Sequence, residues 1–197
     1  LVPIILHLEQ ILTNDTLRKH LSGLASTPDP SKPIPSDYTP GICFSNPDAI
    51  RILGDWMEAL ARLPEVTDVM LWLSEEAAPC FCPVCGGKEP FAMEVAAAVK
   101  AFERAKAVKS NVALRLLLTQ GSYPVNDSVL KAAPPDVKIS YYHGGLTYDS
   151  SDKPMIYPLL ETFARSGRWL GVYPQVTNAW RTVTPFTWPQ FIRARMT

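Results

Sequence analysis

Apolar residues along this chain follow two spacings that trade places. Short, almost unbroken runs read as strands buried on both faces: Val2 to Leu8, Gly41 to Phe44, Val69 to Leu73, Val112 to Leu118, Val137 to Tyr142 and Trp169 to Tyr173. Between them the apolar positions recur at helical spacing. Leu17, Leu21 and Leu24 form one such stripe, and Ala49, Leu53, Trp56, Met57, Leu60 and Leu63 a second. Phe91, Val95, Ala98, Val99 and Phe102 make a third, in a helix ending near Val108. Shorter helices are expected from Asn126 to Ala133 and around Leu159, Leu160 and Phe163, and a last one opens at Thr187-Trp188-Pro189, with Phe191 and Ile192 on it.

Local chemistry marks the boundaries. Thr13-Asn14-Asp15-Thr16 offers capping oxygens to the first helix. Ser45-Asn46-Pro47-Asp48 supplies a cap, a proline for the first turn and an acid favoured by the helix dipole, and Pro64 closes that helix. Pro28, Pro30, Pro33, Pro35 and Pro40 rule out regular structure over residues 26–40, so a long loop is expected there, over the site face.

Strand and helix alternate about six times, which implies parallel strands joined by right-handed crossovers. An open doubly wound sheet that binds nucleotides would carry a glycine-rich phosphate turn, and neither G-x-G-x-x-G nor G-x-x-x-x-G-K is present. The expectation is therefore an α/β fold, a (β/α) TIM-type barrel, in one domain over residues 1–197. Six units do not close an eight-unit barrel, so the chain is expected to be an incomplete piece of one.

Composition narrows the partners. Lys plus Arg and Asp plus Glu both number 19, with no long run of either sign, so the electrostatic footprint of a nucleic-acid or anionic-membrane binder is missing. No apolar stretch reaches the roughly 18 residues a membrane-spanning helix needs, and the opening Leu1-Val2-Pro3 has no basic lead of a signal peptide.

Each expected strand ends in polar or aromatic residues: His7, Glu9 and Gln10; Ser45 and Asn46; Glu75 and Glu76; Thr119 and Gln120; Tyr142 and His143; Tyr173, Gln175 and Asn178. Such a ring of carboxylates, amides and aromatics at the carboxyl ends of strands suits a sugar. Its hydroxyls want planar hydrogen-bond partners and its C–H faces want rings. His7, Glu9, Asn46, Tyr142, His143, Tyr173 and Trp180 are the candidate substrate-binding residues. Glu75 and Glu76 are the candidate catalytic pair, because glycosidic cleavage needs an acid for the leaving oxygen and a second group about 5 to 10 Å away. Adjacent residues of a strand point to opposite faces, so both can serve one site only where the strand has already ended. Glu9, across the barrel, is an alternative partner, and pairing with Arg115 is the non-functional fate open to either acid.

Cys43, Cys80, Cys82 and Cys85 have three readings. As thiolates they would hold a structural zinc ion; the chemistry expected of the carboxylates requires no cofactor. In an exported protein, periplasmic or secreted, they would form two disulfides. As small buried thiols they would only pack, which fits poorly with Pro79 and Pro83 setting the last three in a turn.

Cys43-Phe44-Ser45-Asn46-Pro47, followed by a helix, a strand, and Trp72-Leu73-Ser74-Glu75-Glu76 with Cys80-x-Cys82-x-x-Cys85, resembles the central part of a barrel domain of large bacterial carbohydrate-active proteins. That domain is related to the alpha-glucuronidase and beta-hexosaminidase glycoside hydrolase barrels. The likeness spans about residues 41–143. It implies that Glu76 is the general acid and Glu75 the carboxylate that orients the substrate's acetamido group. Glu75 stands where those hexosaminidases carry Asp, a departure that bears on the acetamido-assisted mechanism. The competing expectation is a non-catalytic carbohydrate-binding or structural domain of a larger protein, clipped by its cysteine turn and docked to further domains of it.

Overall fold

Five strands pair in the order in which the chain makes them, all parallel: β1 (Ile4–Ile5), β2 (Asp68–Trp72), β3 (Ala113–Leu118), β4 (Lys138–Tyr141) and β5 (Leu170–Val172). The helices are α1 (Asp15–His20), α2 (Pro47–Ala61), α3 (Pro90–Val108), α4 (Asn126–Ala132), α5 (Pro158–Arg165) and α6 (Pro189–Met196), with 3₁₀ turns at Ser22–Leu24 and Tyr123–Val125. This computed structural model describes residues 1–8, 15–34, 36, 40–142, 154–173 and 189–196. Glu9, Gln10, His143, Gln175, Asn178 and Trp180 lie outside the described residues.

Strand alternation sorts the sheet into two faces. Val69, Leu71 and Leu73 of the β2 segment, Leu114, Leu116 and Leu118 of β3, and Ile139 and Tyr141 of β4 belong to one core. That same core takes Leu53 and Met57 of α2, Val95, Ala98 and Phe102 of α3, Val129 of α4, and Leu160 and Phe163 of α5. These helices therefore cover a single face of the sheet. A sheet whose order never reverses has no switch point, which sets it apart from the doubly wound alternative. Burial of each large apolar side chain in this core contributes about 1.5–3 kcal/mol.

Close packing of α2 on α3 depends on Gly54. A Cβ there would come 3.1 Å from the Ala101 carbonyl oxygen and closer still to the Arg104 side chain. α2 starts where the sequence marks it: Asn46 accepts hydrogen bonds from the Asp48 and Ala49 N–H groups, and Pro47 fills the first turn.

Two expectations change. The Gly41 to Phe44 segment is not a strand of the sheet. Ile42 forms a lone antiparallel bridge with Ala25, and the Cys43 N–H is taken by the Leu24 carbonyl, so β1 pairs directly with β2. The six expected strands are thus five among the described residues, in an open sheet edged by β1 and β5. β1 itself is shorter than the Val2 to Leu8 run, because β2 is its one described neighbour and registers only with Ile4 and Ile5.

Candidate functional site

The opposite face of the sheet carries Met70, Trp72, Arg115, Leu117, Ser140, Tyr142 and Tyr173. At its amino end Asp68 joins three strands: its carboxylate accepts from Arg115 at 3.2 Å and from Lys138 at 2.6 Å. The Arg115 guanidinium also lies 4.5 Å over the Trp169 ring. Arg115 is thus committed to Asp68, and pairing with Glu75 or Glu76 is not its role here.

At the carboxyl end, His7, Trp72 and Tyr142 form a row. The His7 and Trp72 rings are 4.6 Å apart and tilted, and Tyr142 meets Trp72 edge-on at 5.8 Å. His7 is buried, with Nδ1 3.2 Å from the Leu73 carbonyl oxygen. Tyr173 stands further along the sheet, its hydroxyl 3.8 Å from Met70 Sδ. The structure therefore gathers two of the expected sugar-binding side chains, His7 and Tyr142, around Trp72, which was not among them, and holds Tyr173 on the same face. Asn46 it uses otherwise: the side-chain oxygen caps α2 and Nδ2 donates to the Gly23 carbonyl at 2.7 Å.

β2 ends at Trp72, so Glu75 and Glu76 sit in a bend beyond it, which removes the alternation that would have sent them to opposite faces. Glu75 is half-buried and Glu76 exposed. The backbone beneath them is braced from three directions. Glu94, fully buried on α3, accepts from the Ser74 N–H at 3.2 Å and from the Ser74 hydroxyl at 3.0 Å. The Thr119 hydroxyl donates to the Ser74 carbonyl at 3.4 Å. Gly121 lies so close that a Cβ there would overlap the Glu75 carbonyl oxygen. Behind Thr119 the polar contacts continue through Ser122 and Asn126 to the Tyr157 hydroxyl.

Glu94 is the site residue that sequence reasoning missed. Its signal was present: Phe91, Glu94, Val95 and Ala98 share one helical stripe, and an acid inside an apolar stripe needs a buried partner.

Cys43, Cys80, Cys82 and Cys85 are all free thiols, and their sulfur atoms lie within 4.8 Å of one another. Cys43 Sγ is 3.7 Å from Cys82 Sγ and 3.9 Å from Cys85 Sγ. Metal–sulfur bonds of about 2.3 Å in a tetrahedron put sulfurs roughly 3.8 Å apart, whereas a disulfide needs about 2.05 Å. The disulfide expectation is therefore not what the structure holds.

The surroundings treat the cysteines unequally. Thr27 N–H donates to Cys80 Sγ at 3.3 Å and Cys85 N–H to Cys82 Sγ at 3.4 Å. Ser45 Oγ lies 3.2 Å from both Cys43 and Cys85 and 3.5 Å from Cys82. The Ser45 hydroxyl and then the Cys85 N–H lower the Cys82 thiol to about 6. Burial pushes Cys85 up to about 12 and raises Cys43 as well. The Cys82 thiolate thus sits beside two thiols, Cys43 and Cys85, that a bound cation would deprotonate.

No family model matches the chain, and no curated protein matches its sequence. What defines the molecule is an α/β fold on a sequentially ordered parallel sheet, with a four-cysteine cluster beside the carboxyl end of β2. No helix among the described residues is long and apolar enough to cross a membrane.

Proposed function

We propose that this chain forms part of a (β/α) barrel of the TIM type that binds and cleaves a glycan at the carboxyl ends of its strands. Glu76 is its general acid and Glu75 its orienting carboxylate. The supporting observation is the braced bend that carries Glu75 and Glu76 a few residues beyond Trp72, at the same strand end as the row of His7, Trp72 and Tyr142. An exposed Glu76 can reach a glycosidic oxygen and deliver its proton, while Glu75, half-buried, fixes a substrate hydroxyl or amide. Trp72 and Tyr142 offer ring faces and edges to sugar C–H groups. Glu9, His143 and Trp180, the other substrate-binding candidates from the sequence, lie outside the described residues.

Comparison of wild type, Glu75→Gln and Glu76→Gln on a panel of aryl glycosides tests this function. Loss of the general acid lowers kcat about 10²- to 10⁴-fold, most for substrates with poor leaving groups. A panel hydrolysed equally by all three proteins rejects the assignment, and binding without hydrolysis leaves the non-catalytic, carbohydrate-binding reading.

For the cysteine cluster we propose structural zinc, supported by sulfur separations of 3.7 and 3.9 Å. Four thiolates close a tetrahedral site and leave no position for a reactive water, so the metal clips Cys43 to the turn after β2 and takes no part in bond cleavage. Elemental analysis of the purified protein tests it: one zinc per chain is expected, and a Cys85→Ser variant that retains full zinc would sink it.

A further inference from the structure

Between the proline-rich loop and the cysteine turn runs an open groove of about 330 Å³ whose lining includes Pro28, Asp29, Lys32, Pro33, Pro79 and Phe81. The loop belongs to the connection that follows β1 and the turn follows β2, so both walls arise from the strand-end side of the sheet. Ala78, two residues beyond Glu76 along the chain, is also part of the lining, so one wall of the groove belongs to the same post-β2 segment as the carboxylate bend.

We propose that this groove is a binding subsite for a neutral saccharide unit of the glycan held at Glu76. The inference rests on the glycan reading above and adds to it a place and a ligand chemistry. The apolar wall is rigid. Prolines have little freedom left to lose on binding, and the Phe81 ring is lodged against Gly87, where a Cβ would come 3.0 Å from it and where φ is 72°. A fixed ring edged by prolines suits the C–H face of a pyranose.

The polar wall is a local ion pair on the loop. Asp29 accepts from the Ser31 N–H at 2.9 Å and the Ser31 hydroxyl at 2.7 Å, and Lys32 Nζ lies 3.4 Å from its other oxygen. The carboxylate can accept from sugar hydroxyls and the ammonium can donate to them, and together they cancel in charge. A charged sugar therefore gains nothing there over a neutral one. The volume falls at the low end of the range of about 300–1,000 Å³ for small-molecule sites, which suits one or two rings.

The thiol cluster joins the two walls. Thr27 N–H donates to Cys80 Sγ at 3.3 Å, and Phe81 N–H donates to the Thr27 carbonyl at 2.9 Å. A metal on Cys80 thus fixes the turn and, through Thr27, the start of the loop. Metal loading would stiffen a groove whose walls these hydrogen bonds already join.

The test titrates the zinc-loaded chain with cellobiose, xylobiose, mannobiose and N,N′-diacetylchitobiose and follows backbone amide shifts. At least one disaccharide should shift the amides of Lys32, Phe81 and Gly87, with an affinity unchanged between low and high salt. Phe81→Ala should weaken that disaccharide tenfold or more, and Asp29→Asn at least threefold, with zinc content and melting temperature retained. Asp29→Asn serves as the second variant should Phe81→Ala disturb the cysteine turn. A disaccharide that binds or is cleaved with unchanged affinity in both variants overturns the groove and leaves the glycan function standing. An affinity that falls steeply with salt overturns the neutral ligand. If no disaccharide shifts a strand-end amide and Glu76→Gln is without effect on aryl glycosides, the glycan reading falls and the subsite with it.

Discussion

Glu94 on α3 and Ser74 at the end of β2 form a buried pair in which the acid accepts both the N–H and the hydroxyl of the serine. The helix thereby fixes the backbone one residue ahead of Glu75. Glu94→Ala leaves two donors unpaired in a dry place, which costs about 1–3 kcal/mol before any cavity is counted. Glu94→Gln keeps an acceptor and should lose less. Urea denaturation with amide exchange at Ser74 measures both, and an alanine variant no less stable than the glutamine variant would refute the brace.

Gly121 makes a second, sharper test of the same bend. A methyl group there would overlap the Glu75 carbonyl oxygen, so Gly121→Ala must displace one of the two turns. Overpacking of this kind costs roughly 1–3 kcal/mol. Gly23→Ala is the control, since a Cβ at Gly23 meets nothing within 4 Å. Equal melting temperatures for the two variants would contradict the contact.

Much of this fold is legible in the amino-acid sequence because local and global signals agree. The apolar run at Val69 to Leu73 is a strand interior, and Asn46 with Pro47 starts α2 as capping chemistry dictates. The segment at Gly41 to Phe44 misleads because four residues of strand-like composition cannot say whether a sheet partner is free. Leu24 and Ala25 capture it first. The four cysteines were legible as a candidate metal set from spacing alone. Their choice between disulfide and thiolate was not, since it depends on sulfur separations and on the Ser45 hydroxyl. Glu94 escaped because sequence shows an acid on a helix without showing that its turn faces the end of β2.

Metal-free protein should react first at Cys82. Its thiol titrates near 6 through the Ser45 and Cys85 donors, so it is mostly thiolate at pH 7, while Cys43 and Cys85 stay protonated. Because the folded value is depressed, Cys82 contributes stability present above its unfolded value near 8.5 and lost as pH falls through about 6. Cys85 runs the other way: its contribution holds below the unfolded value and is lost as pH rises through about 12. Mass spectrometry after brief iodoacetamide treatment at pH 7 should find the label on Cys82, and zinc should suppress it. Preferential labelling of Cys85 would contradict the thiolate assignment.

Asp68 ties the amino ends of β2, β3 and β4 together, and its ionisation sets a pH signature for the whole sheet. Burial alone would push its carboxyl up, but hydrogen bonds from Lys138, Thr67 and Arg115 outweigh that and hold it below the ordinary carboxylate range. A depressed folded value means that the stabilisation is complete above the unfolded value near 3.9 and is lost as pH falls through the folded one. Asp68→Asn removes charge-assisted bonds worth about 1.5–3 kcal/mol each when buried. The exposed part of Lys138 reduces that figure, so a net loss of about 2 kcal/mol at pH 7 is expected. The difference between wild type and variant should hold from pH 7 down to about pH 5 and shrink below pH 4. Urea midpoints across that range decide it, and a difference that persists undiminished at the acid end would show that the carboxylate's charge is not what joins the strands.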